Sequence, residues 1–199
     1  MTRIGVLALQ GDFVEHEAHL ARLGVETRRI RLPRDLEGLD GLIIPGGEST
    51  TIGKLAVDYG LVEPLVTFSR SGRPMWGTCA GLIFMARDIG NEREQPLLRV
   101  MDIVVRRNAF GRQVDSFETE IDGPALYALD NTQNRQPFHA VFIRAPVISA
   151  VGPEVEVLAR LPDGRIVAAR QGHLLVTAFH PELTDDDRFH RYFLSLASS

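Results

Sequence analysis

The chain has 199 residues, 44% of them hydrophobic and 24% charged, which is typical of a soluble globular protein with a full hydrophobic core. The formal net charge is -4 and the basic residues form no dense run, which excludes the basic face expected of a nucleic-acid-binding protein. No apolar run approaches the roughly 20 residues of a membrane span, and the single cysteine, Cys79, excludes an internal disulfide. These features predict a cytoplasmic protein.

The first part of the chain alternates short apolar runs with helix-like segments. Strands are predicted at residues 3–9, 25–30, 42–44 and 75–77. Helices are predicted at 13–23, from a cap at Ser49 or Thr50 to just before Gly60, at 62–68, and from Leu82 onwards. The first apolar run is short and ends in a turn, which favours a buried strand over a signal peptide. The alternation predicts βαβ units and a parallel sheet covered by helices on both faces.

After about residue 97 the pattern changes to short segments rich in β-branched residues. Strands are predicted at 99–105, 114–121, 138–143, 155–161, 165–170 and 173–178, several of them in antiparallel hairpins. A polar surface loop is predicted at 131–137, and residues 184–187 are expected to open a last helix. The predicted fold is a single α/β domain over residues 1–199. Its open mixed, mostly parallel sheet is flanked by helices, with extra antiparallel strands in the second half.

Cys79 lies in the segment Gly77-Thr78-Cys79-Ala80-Gly81, between an apolar strand and an apolar helix start. A nucleophile on a tight strand-to-helix turn needs small residues two positions away on each side, because larger ones would collide with the backbone. The helix N-terminus that follows favours a thiolate and can stabilise an oxyanion. The glycines fit equally well a simple turn in which Cys79 packs as a small hydrophobic residue. The pentapeptide alone leaves both interpretations open.

A second motif, His180-Pro181-Glu182, follows the last predicted strand. A thiol nucleophile needs a base, and the base needs an acidic partner that fixes its tautomer. The alternative is a surface histidine without a catalytic role, with Glu182 placed at a helix start. Because both this motif and the Cys79 turn follow predicted strands, they are expected at the carboxyl edge where open α/β sheets place their sites.

The segment Pro45-Gly46-Gly47-Glu48-Ser49-Thr50 joins a predicted strand to a predicted helix. Two adjacent glycines expose backbone N–H groups to an anion or a carbonyl oxygen. Read alone, the segment could be a phosphate loop, but it lacks the ending of a P-loop and the glycine pattern of a dinucleotide site. An oxyanion loop beside Cys79 is the better interpretation.

Taken together, the three motifs resemble the class I (triad) glutamine amidotransferases. Within that class the chain resembles the glutaminase subunit of the pyridoxal 5'-phosphate synthase complex, the PdxT/Pdx2 family. The resemblance extends from residue 4 to about residue 195. The segments that carry it are Leu7-Ala8-Leu9-Gln10-Gly11, residues 45–50, residues 107–113 (Arg-Asn-Ala-Phe-Gly-Arg-Gln) and residues 142–146 (Phe-Ile-Arg-Ala-Pro). Ile83 stands where other triad amidotransferases usually have glutamine, which also fits this branch.

The resemblance implies that Cys79, His180 and Glu182 form a catalytic triad that hydrolyses L-glutamine to glutamate and ammonia through a thioester. It implies an oxyanion hole at Gly47 and Ala80 and a partner-facing role for Gln10. It further implies glutamine binding by Gly46, Gly47, Glu48, Arg106, Ile143 and Arg144. No metal or cofactor is expected. The ammonia would pass to a PdxS/Pdx1-type barrel synthase subunit in a hetero-oligomer.

Two alternatives carry different functions. The first is a DJ-1/PfpI-like cysteine hydrolase or stress protein, which also has an α/β fold and a cysteine on a tight turn. The His-Pro-Glu and Gly-Gly-Glu-Ser-Thr segments argue against it. The second is a non-catalytic regulatory subunit of the same fold, and the presence of all three triad residue types argues against that.

Overall fold

A computed structural model describes residues 2–90, 94–107, 116–127 and 136–197 of the chain. Its strands are β1 (Arg3–Leu7), β2 (Glu26–Ile30), β3 (Gly41–Ile44), β4 (Met75–Thr78), β5 (Ala86–Asp88), β6 (Met101–Arg106), β7 (Ser116–Ile121), β8 (Phe138–Ile143), β9 (Val147–Val151), β10 (Glu156–Arg160), β11 (Ile166–Gln171) and β12 (Leu174–Thr177). Its α-helices are α1 (Phe13–Arg22), α2 (Ser49–Asp58), α3 (Val62–Arg70), α4 (Ala80–Met85), α5 (Pro124–Tyr127) and α6 (Arg188–Ala197).

Across these described residues, ten strands form one sheet in the order β2-β1-β3-β4-β12-β11-β9-β6-β5, with β10 paired to β11. The first five strands of this order are parallel neighbours. The sheet continues through antiparallel pairs, and β5 pairs in parallel with β6 at the far edge. A separate antiparallel pair is formed by β7 and β8. The predicted mixed α/β fold with added antiparallel strands is confirmed.

The centre of the sheet is covered on both faces. Every residue of β3, β4 and β12 is buried, which explains why these strands are continuous apolar runs rather than alternating ones. On one face, α6 packs Phe189 and Phe193 against Trp76 of β4, with ring centroids 6.4 and 5.7 Å apart. Within the described residues no helix combines the length and the apolar character that crossing a bilayer would need.

The predicted strands that fall wholly within the described residues begin and end within two residues of their expected bounds. The sequence predicts no element at β5, α5 or β9. Strand β9 is held by long-range pairing with β6 and β11, which no local pattern reveals. Residues 108–113 of the family-like segment, the start of the strand predicted at 114–121 and residues 131–135 of the predicted loop lie outside the described residues.

Three helix starts differ from expectation. The cap of α2 is Glu48 rather than Ser49 or Thr50, because its carboxylate accepts the backbone N–H groups of Thr50 at 3.0 Å and Thr51 at 2.7 Å. Helix α4 already begins at residue 80, directly after the cysteine, and α6 begins only at residue 188. The early start of α4 matters for the site, because it directs a helix N-terminus at Cys79.

Candidate active site

Cys79 occupies a strained turn between β4 and α4. Its φ of 46° and ψ of -99° are unfavourable for a residue with a side chain, at a cost of about 1–3 kcal/mol. The neighbouring glycines leave no room for larger residues. A Cβ on Gly77 would lie 2.6 Å from the carbonyl group of Gly81, and a Cβ on Gly81 would lie 2.0 Å from the Ile44 carbonyl oxygen. Both flanking glycines are therefore required by the close crossing of β3, β4 and α4.

His180 and Glu182 follow β12, the parallel neighbour of β4. The N–H of Cys79 donates to the carbonyl oxygen of Thr177 at 2.8 Å, which ties the two strand ends together. The side chain of Cys79 interacts with the imidazole of His180 closely enough to raise the pKa of His180, and His180 Nδ1 lies 2.6 Å from Glu182 Oε1. All three predicted triad residues are buried.

A second carboxylate, that of Asp12, also reaches His180. Its Oδ2 lies 3.4 Å from His180 Nδ1. Burial alone would lower the pKa of His180, but hydrogen bonds to Asp12, Cys79 and Glu182 outweigh burial and raise the pKa to about 12. The same hydrogen bond to His180 lowers the pKa of Asp12. His180 is therefore an imidazolium at neutral pH. No local sequence signal identifies Asp12 as part of the site.

The Gly46-Gly47 loop closes one side of the cysteine site. A Cβ on Gly46 would lie 2.4 Å from His180 Cε1, so the loop rests directly on the imidazole. The chain after β1 holds the loop from behind: the N–H of Asp12 donates to the Gly46 carbonyl oxygen at 3.1 Å. Gln10 Oε1 accepts the N–H of Glu48 at 2.7 Å. Gln10 thus lies against the Gly46-Gly47 loop and holds its conformation.

The structure separates the two neighbouring arginines at the end of β6. Arg106, which was assigned to glutamine binding, is exposed. Arg107 instead lies with its Nη2 3.6 Å from Glu48 Oε1, and its Nη1 donates to Gln95 Oε1 at 3.0 Å. Hydrogen bonds from Thr51 and Thr50 outweigh burial and lower the pKa of Glu48 to about 2. The cation at the acidic edge of the loop is therefore Arg107 and not Arg106.

The end of β8 forms the opposite side of the site. The carbonyl oxygen of Ile143 lies 3.8 Å from Cys79 Sγ. Arg144 follows with a φ of 44°, a left-handed conformation that is costly for a residue with a side chain. The backbone N–H of His180 donates to the Val141 carbonyl oxygen at 2.8 Å, so β8 also contacts the base. Ala80, the first residue of α4, presents one of the N–H groups that have no partner inside the helix.

A metal site would require several potential ligand atoms close together. Among the described residues such a group is formed by Asp12, His180 and Glu182, whose ligand atoms lie within 4.8 Å of one another. Both carboxylates already hydrogen-bond the same imidazole, so the cluster is explained without an ion. The expected absence of a metal stays a prediction.

Comparison with known proteins agrees with this geometry. Residues 6–198 match the SNO glutamine amidotransferase family, and the chain belongs to that family. The enzyme class inferred from the motifs is thereby confirmed and is favoured over a DJ-1/PfpI-like protein. Among solved structures, a protein described as a glutamine amidotransferase superposes with a TM-score of 0.89 at 52% identity, covering 98% of this chain and 99% of that one.

The curated relatives show which members of this enzyme class the chain is similar to. A "Pyridoxal 5'-phosphate synthase subunit PdxT" from Herpetosiphon aurantiacus is 60% identical over 97% of this chain and 99% of its own length. A protein of the same name from Carboxydothermus hydrogenoformans is 58% identical over 96% of each chain. A putative GMP synthase subunit from Thermoplasma acidophilum, at 17% identity and a TM-score of 0.71, shares the fold alone and covers 100% of this chain and 94% of that one.

Proposed function

We propose that this chain is the glutaminase subunit of a pyridoxal 5'-phosphate synthase and hydrolyses the side-chain amide of L-glutamine. The observation that carries the proposal is the contact of Cys79, His180 and Glu182 at the ends of two adjacent parallel strands. A thiol, a base and an acid that orients the base are the groups that acyl transfer from an amide needs. The near-full-length relatives named as PdxT supply the biological setting.

In the proposed reaction, His180 holds the proton of Cys79 and the thiolate attacks the amide carbon of glutamine. The tetrahedral oxyanion is stabilised by the N–H of Ala80 and by an N–H of the loop at Gly47. Loss of one such donor typically costs ~10²–10³ in rate. His180 then protonates the departing nitrogen as the carbon–nitrogen bond breaks, which releases ammonia and leaves a thioester. Water, activated by His180, hydrolyses the thioester to glutamate and restores the thiol.

Recognition of glutamine needs a cation for its α-carboxylate and acceptors for its ammonium group. The groups around the site that meet this need are the loop at Gly46 and Gly47, Glu48, the carbonyl oxygen of Ile143, and Arg144. Among the residues proposed to bind glutamine, Arg107 takes the place of Arg106, because Arg107 lies beside Glu48 and Arg106 is exposed.

Replacing Arg107 by alanine is expected to raise KM for glutamine roughly tenfold or more, since a hydrogen bond to a charged group is worth about 1.5–3 kcal/mol. The change in kcat should be smaller, because the α-carboxylate lies away from the reacting amide. Steady-state kinetics of Arg107→Ala and of the matched control Arg106→Ala check this expectation. A larger rise in KM for the Arg106 variant would return the binding role to that residue.

Ammonia released into water at neutral pH becomes ammonium and loses its nucleophilicity, so its transfer requires a docked acceptor. We propose that the acceptor is a PdxS/Pdx1-type synthase subunit in a cytoplasmic hetero-oligomer. The chain is further proposed to act as one domain over residues 1–199. Gln10 holds the proposed oxyanion loop, so a docked partner that contacts Gln10 can act on the conformation of the site.

The test is a glutaminase assay on the purified chain with and without the PdxS/Pdx1-type subunit of the same organism. We expect glutamate release from the wild type that increases when the partner is added, and none from Cys79→Ala. Equal turnover with and without the partner would refute activation by docking while leaving the glutaminase assignment intact. No glutamate from the wild type with its partner would instead favour a non-catalytic regulatory subunit.

A further inference from the structure

Behind Glu182 lies a group of buried polar side chains that the proposed reaction does not use. His16 of α1, Thr78 of β4 and His190 of α6 are all fully buried. His16 lies edge-on to the ring of Trp76, with centroids 5.5 Å apart, and so cannot turn away from the site. Three elements from distant parts of the chain thus converge behind the acid of the triad.

The distances link this group to the triad. Glu182 Oε1 accepts from His180, while Glu182 Oε2 has His16 Nε2 at 3.4 Å. His16 Nε2 is also 3.3 Å from Thr78 Oγ1, and His16 Nδ1 is 2.9 Å from His190 Nε2. A buried carboxylate oxygen needs a donor, yet Oε2 makes no hydrogen bond of good geometry within the described residues, and it contacts His16 Nε2 at 3.4 Å. His16 Nε2 is the group placed to supply it.

The contacts select one pair of tautomers. If His16 carried its hydrogen on Nδ1, its Nε2 lone pair would face the carboxylate, and His190 Nδ1 would be a buried N–H. That atom has no hydrogen-bond partner, and an unpaired buried donor is costly. With both hydrogens on Nε2, His190 donates to His16 and His16 donates to Glu182. The donors then run from His190 through His16 to Glu182, whose other carboxylate oxygen accepts from His180.

Both histidines also have to stay neutral for this order to hold. Burial is the main cause that lowers the pKa of His16 and of His190. The groups that face His16 are Thr78, Glu182, His190 and, through charge alone, His19, His180 and Asp12. The two carboxylates among them oppose the lowering but do not reverse it.

We propose that His16, held by His190, is a positioning residue that donates to Glu182 Oε2 and thereby keeps Glu182 aligned on His180. This rests on the proposed glutaminase function for its kinetic consequence only. The structural part, the direction of the hydrogen bonds, stands by itself.

The first test is kinetic and uses the full-length chain with its synthase partner. His16→Leu removes the donor and is expected to lower kcat roughly 10- to 100-fold with little change in KM, as for the loss of a hydrogen bond to a charged group. His16→Gln carries an amide N–H at the same number of bonds from Cβ as Nε2, and is expected to recover most of the loss. An equal decrease in kcat in both variants, or an effect on KM alone, would overturn the proposal.

The second test needs no glutamine. Without the donor, Glu182 is held less firmly against Nδ1 of His180, and His180 loses part of its stabilisation as an imidazolium, the form that activates Cys79 in the proposed reaction. The midpoint of the pH dependence of Cys79 alkylation by iodoacetamide should therefore move to higher pH in His16→Leu. His173→Leu is the matched control, because it removes a histidine outside the site. His173 forms a hydrogen bond with the Ser69 carbonyl oxygen at 2.5 Å. An unshifted midpoint in His16→Leu would overturn the proposal even if the glutaminase assay fails.

The third test uses the unmodified protein, so it is decisive even where His16→Leu does not fold. Long-range proton–nitrogen NMR spectra of the histidine side chains distinguish the tautomers. We expect both His16 and His190 to be neutral and protonated at Nε2 at pH 7. A His16 protonated at Nδ1, or at both nitrogens, would refute the assigned direction of donors.

Discussion

Replacing Cys79 by glycine is expected to abolish glutamine hydrolysis and, at the same time, to leave the fold more stable than replacing it by alanine. The sulfur is the proposed nucleophile, and loss of such a group lowers kcat by about 10⁴-fold or more. The backbone effect has a separate origin. At φ 46° and ψ -99° any Cβ is strained by about 1–3 kcal/mol, and glycine relieves that strain.

Glycine also costs about 0.5–1 kcal/mol in the entropy of the unfolded chain, which leaves a net advantage of about 1 kcal/mol over alanine. For a chain of this length that corresponds to a difference in Tm of roughly 2–4 °C. Thermal unfolding of Cys79→Gly and Cys79→Ala, beside a glutaminase assay of each, measures both effects. An alanine variant as stable as the glycine variant would show that the turn is not strained.

Replacing Gly81 by alanine is expected to destabilise the protein by about 1–2 kcal/mol net and to remove activity. Helix propensity alone favours alanine over glycine inside a helix by about 1 kcal/mol, so the sign of the change identifies its cause. A Cβ at this position would lie 2.0 Å from the Ile44 carbonyl oxygen. Because the obstacle is backbone, β3 and α4 must move apart, and overpacking of this kind typically costs about 1–3 kcal/mol.

Gly60→Ala is the control for this experiment. Gly60 has a φ of 65° and no atom within 4 Å of its added Cβ, so alanine there costs only the left-handed backbone penalty of about 1–2 kcal/mol. We expect Gly60→Ala to keep full activity. Urea unfolding and glutaminase rates of the two variants make the comparison. If Gly81→Ala were more stable than the wild type, the close packing of the turn would be wrong.

The sequence predicts that Cys79, His180 and Glu182 lie at one edge of the sheet, because each part of this prediction is local. The Gly77–Gly81 spacing and His180-Pro181-Glu182 are short motifs, and each follows a strand. Parallel strands place their carboxyl ends at one edge of the sheet, so the pairing of β4 with β12 brings the two motifs together.

The parts that the sequence does not predict depend on contacts between distant residues or on a shift of one residue. His16 and His190 meet across 174 positions of sequence, and each looks like an ordinary helix residue on its own. Arg106 ends β6 with an exposed side chain and Arg107 begins the turn that follows, so a shift of one residue decides which arginine lies beside Glu48.

The antiparallel pair of β7 and β8 has a consequence for the dynamics of the site. It is a separate two-stranded sheet, and such a pair needs packing against other elements to be stable. Phe138 and Phe142 of β8 supply that packing, because both are fully buried and contact the ring of Phe179. The same strand accepts a hydrogen bond from the backbone N–H of His180, and its Ile143 carbonyl oxygen lies 3.8 Å from Cys79 Sγ. A local separation of this pair from the core would therefore disturb both side chains together, so hydrogen exchange of the β8 amides is expected to report how often the site comes apart.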